Sequence, residues 1–121
     1  TMQYKTGTGT NIMTINSDAS RAVTTTGAVY AKTRAHNGDL LATTWAADDY
    51  SIILTGTTNN ISLPDATTNT GRVISLTNQT GGNRTYVGTA ANKPLNTGSI
   101  TGGKGQLLIS DGTVWQLIGG F

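Results

Sequence analysis

The chain contains no cysteine, which removes disulfides and thiolate metal sites and leaves the redox compartment open. Glutamate is absent as well, so the acidic side is six aspartates against eight lysines and arginines, a formal charge of +2. Charged residues make up only 12% of the chain, about half the usual share. With so little charge the chain does not read as intrinsically disordered, a state that pairs low hydrophobicity with high net charge. The basic residues stand singly and never form a run. A nucleic-acid footprint is therefore weak, despite a sequence pI near 9.2. No apolar stretch approaches the ~20 residues of a membrane span, so membrane insertion is not expected. The first residues lack the charged-then-apolar layout of a signal peptide. The opening "TMQYKT" reads as cut from something longer, which leaves an upstream leader open.

What fills the space is small and polar. Threonine is about a fifth of the chain, and glycine adds 16 of the 121 residues. Thr, Val, Ile and Tyr with frequent Gly and Asn favour strands and tight turns, so the expected class is all-β, built of short antiparallel strands. "MQYKT", "NIMTI" and "GAVYAKTRA" alternate apolar and polar residues as strands do. "NSDAS" and "HNGD" supply turns, and Asn37-Gly38 reads as a hairpin. "LLATTWAADDYS" reads as a strand leading to a turn at Ala46 to Asp49. "YSIILTG", "NNISLP", "GRVISLTN" and "RTYVG" follow as strands. Pro64 ends the second of these, Asp65 can bond turn amides, and Gly71 can take a positive φ. "AANKPLNTG" reads as a longer loop.

The end of the chain, "LLISDGTVWQLIGGF", is apolar where termini usually turn polar. A two-residue turn at Asp111-Gly112 would set Ile109 opposite Val114 and Leu108 opposite Trp115. Those pairs face opposite ways, so both faces of the hairpin carry large apolar side chains. Such a hairpin belongs inside a core or between chains, and Trp115 reads as core.

The order "ISLPDATTNTGRVISLTN", a Thr/Gly-rich middle, then "LLISDGTVWQLIG" resembles the C-terminal tip domains of trimeric phage tail fibres. Related tips occur on phage-derived bacterial surface fibres, including adhesive trimers of predatory bacteria. The resemblance runs from Tyr50 to the end. It implies an N-terminal β segment over 1–49 that joins a fibre shaft, and a tip over 50–121. It further implies a β-sandwich or intertwined β homotrimer that touches a bacterial surface glycan or protein, on a virion tail or a cell surface. The stretch "VGTAANKPLNTGSITGG" departs from the pattern, being longer and carrying Lys93-Pro94.

Catalytic chemistry finds little footing. Glycoside hydrolysis needs two facing carboxylates, and the candidates Asp39, Asp48, Asp49 and Asp111 are largely explained by turns. His36 is the only histidine, and no Gly-x-Ser-x-Gly elbow exists, so a nucleophilic triad is not expected. "GSITGGKG" nearly spells a phosphate-binding loop, but Gly105 stands in the Ser/Thr position and a strand follows where a helix should. His36 reads as a turn residue, although three copies around a threefold axis could share an ion. Asn-x-Ser/Thr sequons at Asn60, Asn78 and Asn83 arise readily in so Asn- and Thr-rich a chain. The expectation is a protein that is not an enzyme and needs no cofactor or metal.

Sugar recognition pairs aromatic faces with Asn, Asp, Arg or backbone groups. The best combination is Asn83, Arg84 and Tyr86 with Asn92 and Lys93 of the adjoining loop. Trp45 and Tyr50 beside Asp48-Asp49 form a second. Three roles therefore remain: a glycan-binding fibre tip, a trimerisation and capping module without a ligand, and a small viral coat or decoration protein.

Overall fold

Strands form where β-branched and aromatic residues alternate with small polar ones. The computed structural model describes residues 2–5, 11–15, 23–24, 31–57 and 60–121. The chain divides into two compact units, Thr1–Tyr30 and Ala31–Phe121. In the first, β1 (Met2–Lys5), β2 (Asn11–Ile15) and β3 (Val23–Thr24) form an antiparallel sheet in sequential order. The turn expected over 16–20 and the start of the strand expected over 27–35 lie outside the described residues.

The second unit holds eight strands: β4 (Thr33–Asn37), β5 (Ser51–Thr55), β6 (Asn60–Ile61), β7 (Val73–Asn78), β8 (Arg84–Tyr86), β9 (Ser99–Ile100), β10 (Gly105–Ser110) and β11 (Trp115–Gly120). Five make a sheet in the order β11-β10-β7-β5-β4, and three make a second in the order β6-β8-β9. The protein is thus mostly β, but its sheets are mixed. β4, β5 and β7 run parallel, as do β6 and β8. Hairpins were the expected connection, and Asn37-Gly38 was to be one of them. Instead Gly38 (φ 98°) turns the chain toward Leu40, which bridges in parallel to Ile61. Three times the chain runs along the first sheet, turns, and runs along the second, with Leu40, Ile61 and Tyr86 aligned. Each return leg brings the next strand in pointing the same way, so the sheet grows by coils until β10 and β11 close it with antiparallel pairs.

Alternation fixes the core. Ile52 and Leu54 of β5, Ile74 and Leu76 of β7, Leu108 of β10 and Trp115 of β11 are buried together with Leu40, Ile61, Leu63, Tyr86 and Ile100. On the edge strand β4 the inward row changes character: Arg34 aligns with Ile52 and Leu76, and His36 with Leu54 and Asn78. Inward-pointing polar residues on an edge discourage a further strand from adding there.

Local details depart from the sequence reading in three places. Ala42–Thr44 is a turn of 3-10 helix where a strand was expected, in keeping with its two adjacent threonines having no sheet to join. Ser99–Ile100, inside the stretch that nearly spells a phosphate-binding loop, is a strand paired with β8. The final hairpin turns through four residues, not two. Asp111 accepts hydrogen bonds from the amides of Thr113 and Val114 at 2.8 and 2.9 Å, which draws both into the loop. Ser110 therefore faces Trp115 and Leu108 faces Leu117, with a register shift beyond Leu108. Trp115 and Leu117 turn to the core with Leu108, while Leu107, Ile109 and Gln116 take the opposite face.

Candidate functional site

Two clusters decide what the exposed surface can do. The first surrounds Asp49, whose carboxylate is fully buried. Arg34 Nε reaches both carboxylate oxygens at 3.1 Å, Nη2 adds a bond of 2.9 Å, and the Ala46 amide donates at 2.8 Å. Arg34 also donates to the Thr44 carbonyl, and Arg72 donates to the carbonyls of Ala46 and Asp49. The hydrogen bonds from Arg34 hold the Asp49 carboxyl down to about 2, against the opposing effect of burial. Lys32 pairs with Asp48 at the surface and lies 3.4 Å from Asp49. His36 closes the cluster: with its hydrogen on Nε2 it donates to the Asp39 carbonyl at 2.9 Å and accepts from Arg34 through Nδ1. This is a locked 41–50 loop. No pair of free, facing carboxylates is assembled in it, and among the described residues no three His, Asp or other ligands are grouped to hold a metal.

Trp45 and Tyr50, expected to bind sugar here, have different standings. Trp45 is half-buried, with Nε1 donating to the Ser62 carbonyl at 2.9 Å and Arg72 over its ring at 5.9 Å. Tyr50 is exposed and free to meet a ligand.

The second cluster lies at the ends of β5, β7 and β8. Asn78 is buried and donates to the carbonyls of Gly82 and Ile100 at 2.8 and 3.0 Å. It accepts from the amide and hydroxyl of Thr80. The 80–82 loop is held against Gly102 so closely that a Cβ there would lie 2.6 Å from the Gly81 carbonyl. An open pocket of about 230 Å³ sits between this loop and Gly56-Thr57, with Arg84 in its lining. Gly56 holds a φ of 80°, which strains any other residue, and a Cβ there would also push the Asn37 side chain aside. Asn78 could not serve as a glycosylation acceptor in this position.

Of the candidates in this region, Asn83 and Lys93 are exposed, while Arg84 and Tyr86 are buried, 3% and 6% exposed. Tyr86 donates through its hydroxyl to Gln106 Oε1 at 2.7 Å, and burial pushes its phenol well above the usual range. Its ring is core, not a sugar platform. Asn92 donates to the Leu63 carbonyl at 2.8 Å and accepts from Thr89. Sequence reasoning placed these residues in one patch. Alternation on β8 turns Arg84 and Tyr86 inward and leaves only Thr85 outside.

A pattern the sequence did not announce joins three of these side chains. Successive carbonyls of Ser62, Leu63 and Pro64 are taken by Trp45, Asn92 and Trp115. The three side chains clamp one segment instead of facing a ligand.

The opposite face of the five-stranded sheet carries half-buried Ile53, Val73, Leu107 and Ile109, with Ile118 exposed. Phe121 lays its ring over Gly105, where a Cβ would come within 2.2 Å of the ring edge, yet remains 67% exposed. Among the described residues no helix is long and apolar enough to cross a membrane. The chain matches no family model, no curated protein and no solved structure.

Proposed function

We propose that this chain is a non-enzymatic recognition tip of a homotrimeric fibre, binding a bacterial surface glycan through its exposed loops. The observation that carries the reading is the outer face of the five-stranded sheet, where Ile53, Val73, Leu107 and Ile109 are only half-buried and Ile118 is exposed. Apolar side chains interleaved with Ser75, Thr77 and Gln116 on a chain so poor in charge fit burial against further copies, which also supply core that a thin chain lacks. The intertwined or side-by-side trimer implied by the tail-fibre resemblance is the assembly this face suits, on a virion tail or a bacterial surface.

A trimer is the expected state by light scattering at micromolar concentration, and Ile109→Lys with Leu107→Lys should return it to a folded monomer. A monomeric wild-type chain would remove the reading. Tyr50, Asn83 and Lys93 remain the exposed candidates for ligand contact, and a glycan array with Tyr50→Ala and Lys93→Ala tests recognition at two of them. Weaker binding by either variant is the expected result.

The second reading is a trimerisation and capping module with no ligand. Its support is that Trp45, Tyr86 and Asn92 are all committed to internal hydrogen bonds. A stable trimer that binds nothing on the array would favour it.

A further inference from the structure

Arg84 is the charged residue whose environment is least explained by folding. It is 3% exposed, and arginines are almost never so buried unless paired. Its partner among the described residues is one carbonyl: Nη2 donates to Gly56 O. Nε has no hydrogen-bond acceptor. The described aspartates are engaged elsewhere: Asp49 with Arg34, Asp48 with Lys32, Asp39 with the Asn60 amide, Asp65 with Thr67, and Asp111 with its own loop. A guanidinium carries five N–H donors in a fixed fork, and leaving them unused away from water is costly. The same residue lines the pocket between Gly56-Thr57 and Thr80 to Gly82. Three glycines there keep side chains out of the way, and Asn78 holds the loop in place before any ligand arrives.

We infer that this pocket is an anion site in which Arg84 receives the carboxylate or phosphate of an acidic glycan. A planar or tetrahedral oxyanion can accept two parallel N–H bonds from a guanidinium, which a neutral hydroxyl cannot match. The hydroxyl of Thr57 in the lining can donate to a remaining oxygen, while that of Thr80 stays on Asn78. The glycan part of this inference rests on the recognition reading above, and the oxyanion part does not.

Thermal unfolding of the full chain tests it, with inorganic phosphate, glucuronate and glucose as probes at matched ionic strength. Phosphate or glucuronate should raise Tm by roughly 5 °C at ten times Kd, and glucose should not. A shift with glucuronate alone identifies a carboxylate as the source, and a shift with phosphate alone a phosphorylated sugar. Arg84→Met keeps the side-chain bulk and should abolish the shift. Gly82→Ala guards against misfolding of that variant. Gly82 lines the pocket and a Cβ there meets nothing within 4 Å, so the fold accepts the added methyl, which should weaken the anion several-fold. No shift with either anion overturns the site, as does a shift that Arg84→Met or Gly82→Ala leaves intact. A neutral glycan bound equally by wild type and Arg84→Met overturns the acidic-glycan inference and spares the recognition reading. An anion-dependent shift without array binding upholds the site and removes that reading.

Discussion

Trp115→Ala is expected to cost about 4 kcal/mol of unfolding free energy, the largest loss of any single truncation among the described residues. Trp115 is fully buried, and its indole Nε1 donates to the Pro64 carbonyl at 2.8 Å. Truncation removes the ring from the core and leaves that buried carbonyl without its donor, and the two penalties add. With a total stability of roughly 5–15 kcal/mol for a domain, the variant is close to unfolding at physiological temperature. Urea denaturation reads the effect as a lowered midpoint at unchanged slope. Trp115→Phe separates the two contributions, because it keeps most of the bulk and loses only the bond, at about 1–2 kcal/mol. A loss under about 1 kcal/mol for the alanine variant would contradict the packing described here.

The second large effect belongs to Asp49. Asp49→Asn should destabilise by about 3 kcal/mol, because it leaves the partly buried Arg34 guanidinium without its carboxylate. The pH dependence has a definite sign. Folding holds this carboxyl at about 2, below the ~3.9 of an unfolded aspartate, so the unfolded chain takes up the proton first as pH falls. The stabilisation is complete above about pH 5, declines through pH 4 and 3, and is gone once pH passes below the folded value. Asp48, Asp65 and Asp111 are also lowered, so acid destabilisation of the wild type is a sum. The contribution of Asp49 is the difference between wild-type and Asp49→Asn curves, expected to shrink by about 2 kcal/mol between pH 6 and pH 2. Parallel curves would assign the acid sensitivity to other groups.

Much of the strand pattern was legible. "NIMTI" and "GQLLIS" are strands end to end, and Asp65 and Gly71 shape the turn in the ways their chemistry dictates, but the strand expected to run up to Pro64 stops at Ile61. Strand direction was not legible. Parallel pairing is usually read from an intervening helix, and here the return legs over 38–50 and 56–72 are loops, short strands and single 3-10 turns. The spacing between aligned positions also varies, from Thr33 to Ser51 and on to Ser75, which hides the repeat. At the candidate site, Trp115 announced its burial through an apolar hairpin. Arg84 and Tyr86 did not, because in a three-residue strand alternation allows either face, and only pairing with Ile61 and Ile100 decides it. The Arg34–Asp49 pair carried no signal, being fifteen residues apart with both partners beside other charges.

The clamp on Ser62, Leu63 and Pro64 also sets a timetable. Its donors lie 17, 29 and 51 residues further along or back in the chain: Trp45 precedes the segment, while Asn92 and Trp115 follow it. During synthesis at about 5–20 residues per second, the Pro64 carbonyl waits roughly 3–10 s for its indole. Until then the coils exist as strands with one flank of the core open to water. Arrival of Trp115 is the closing event, and until it comes charge-free strands such as "SIILT" and "VISLTN" lack part of their core.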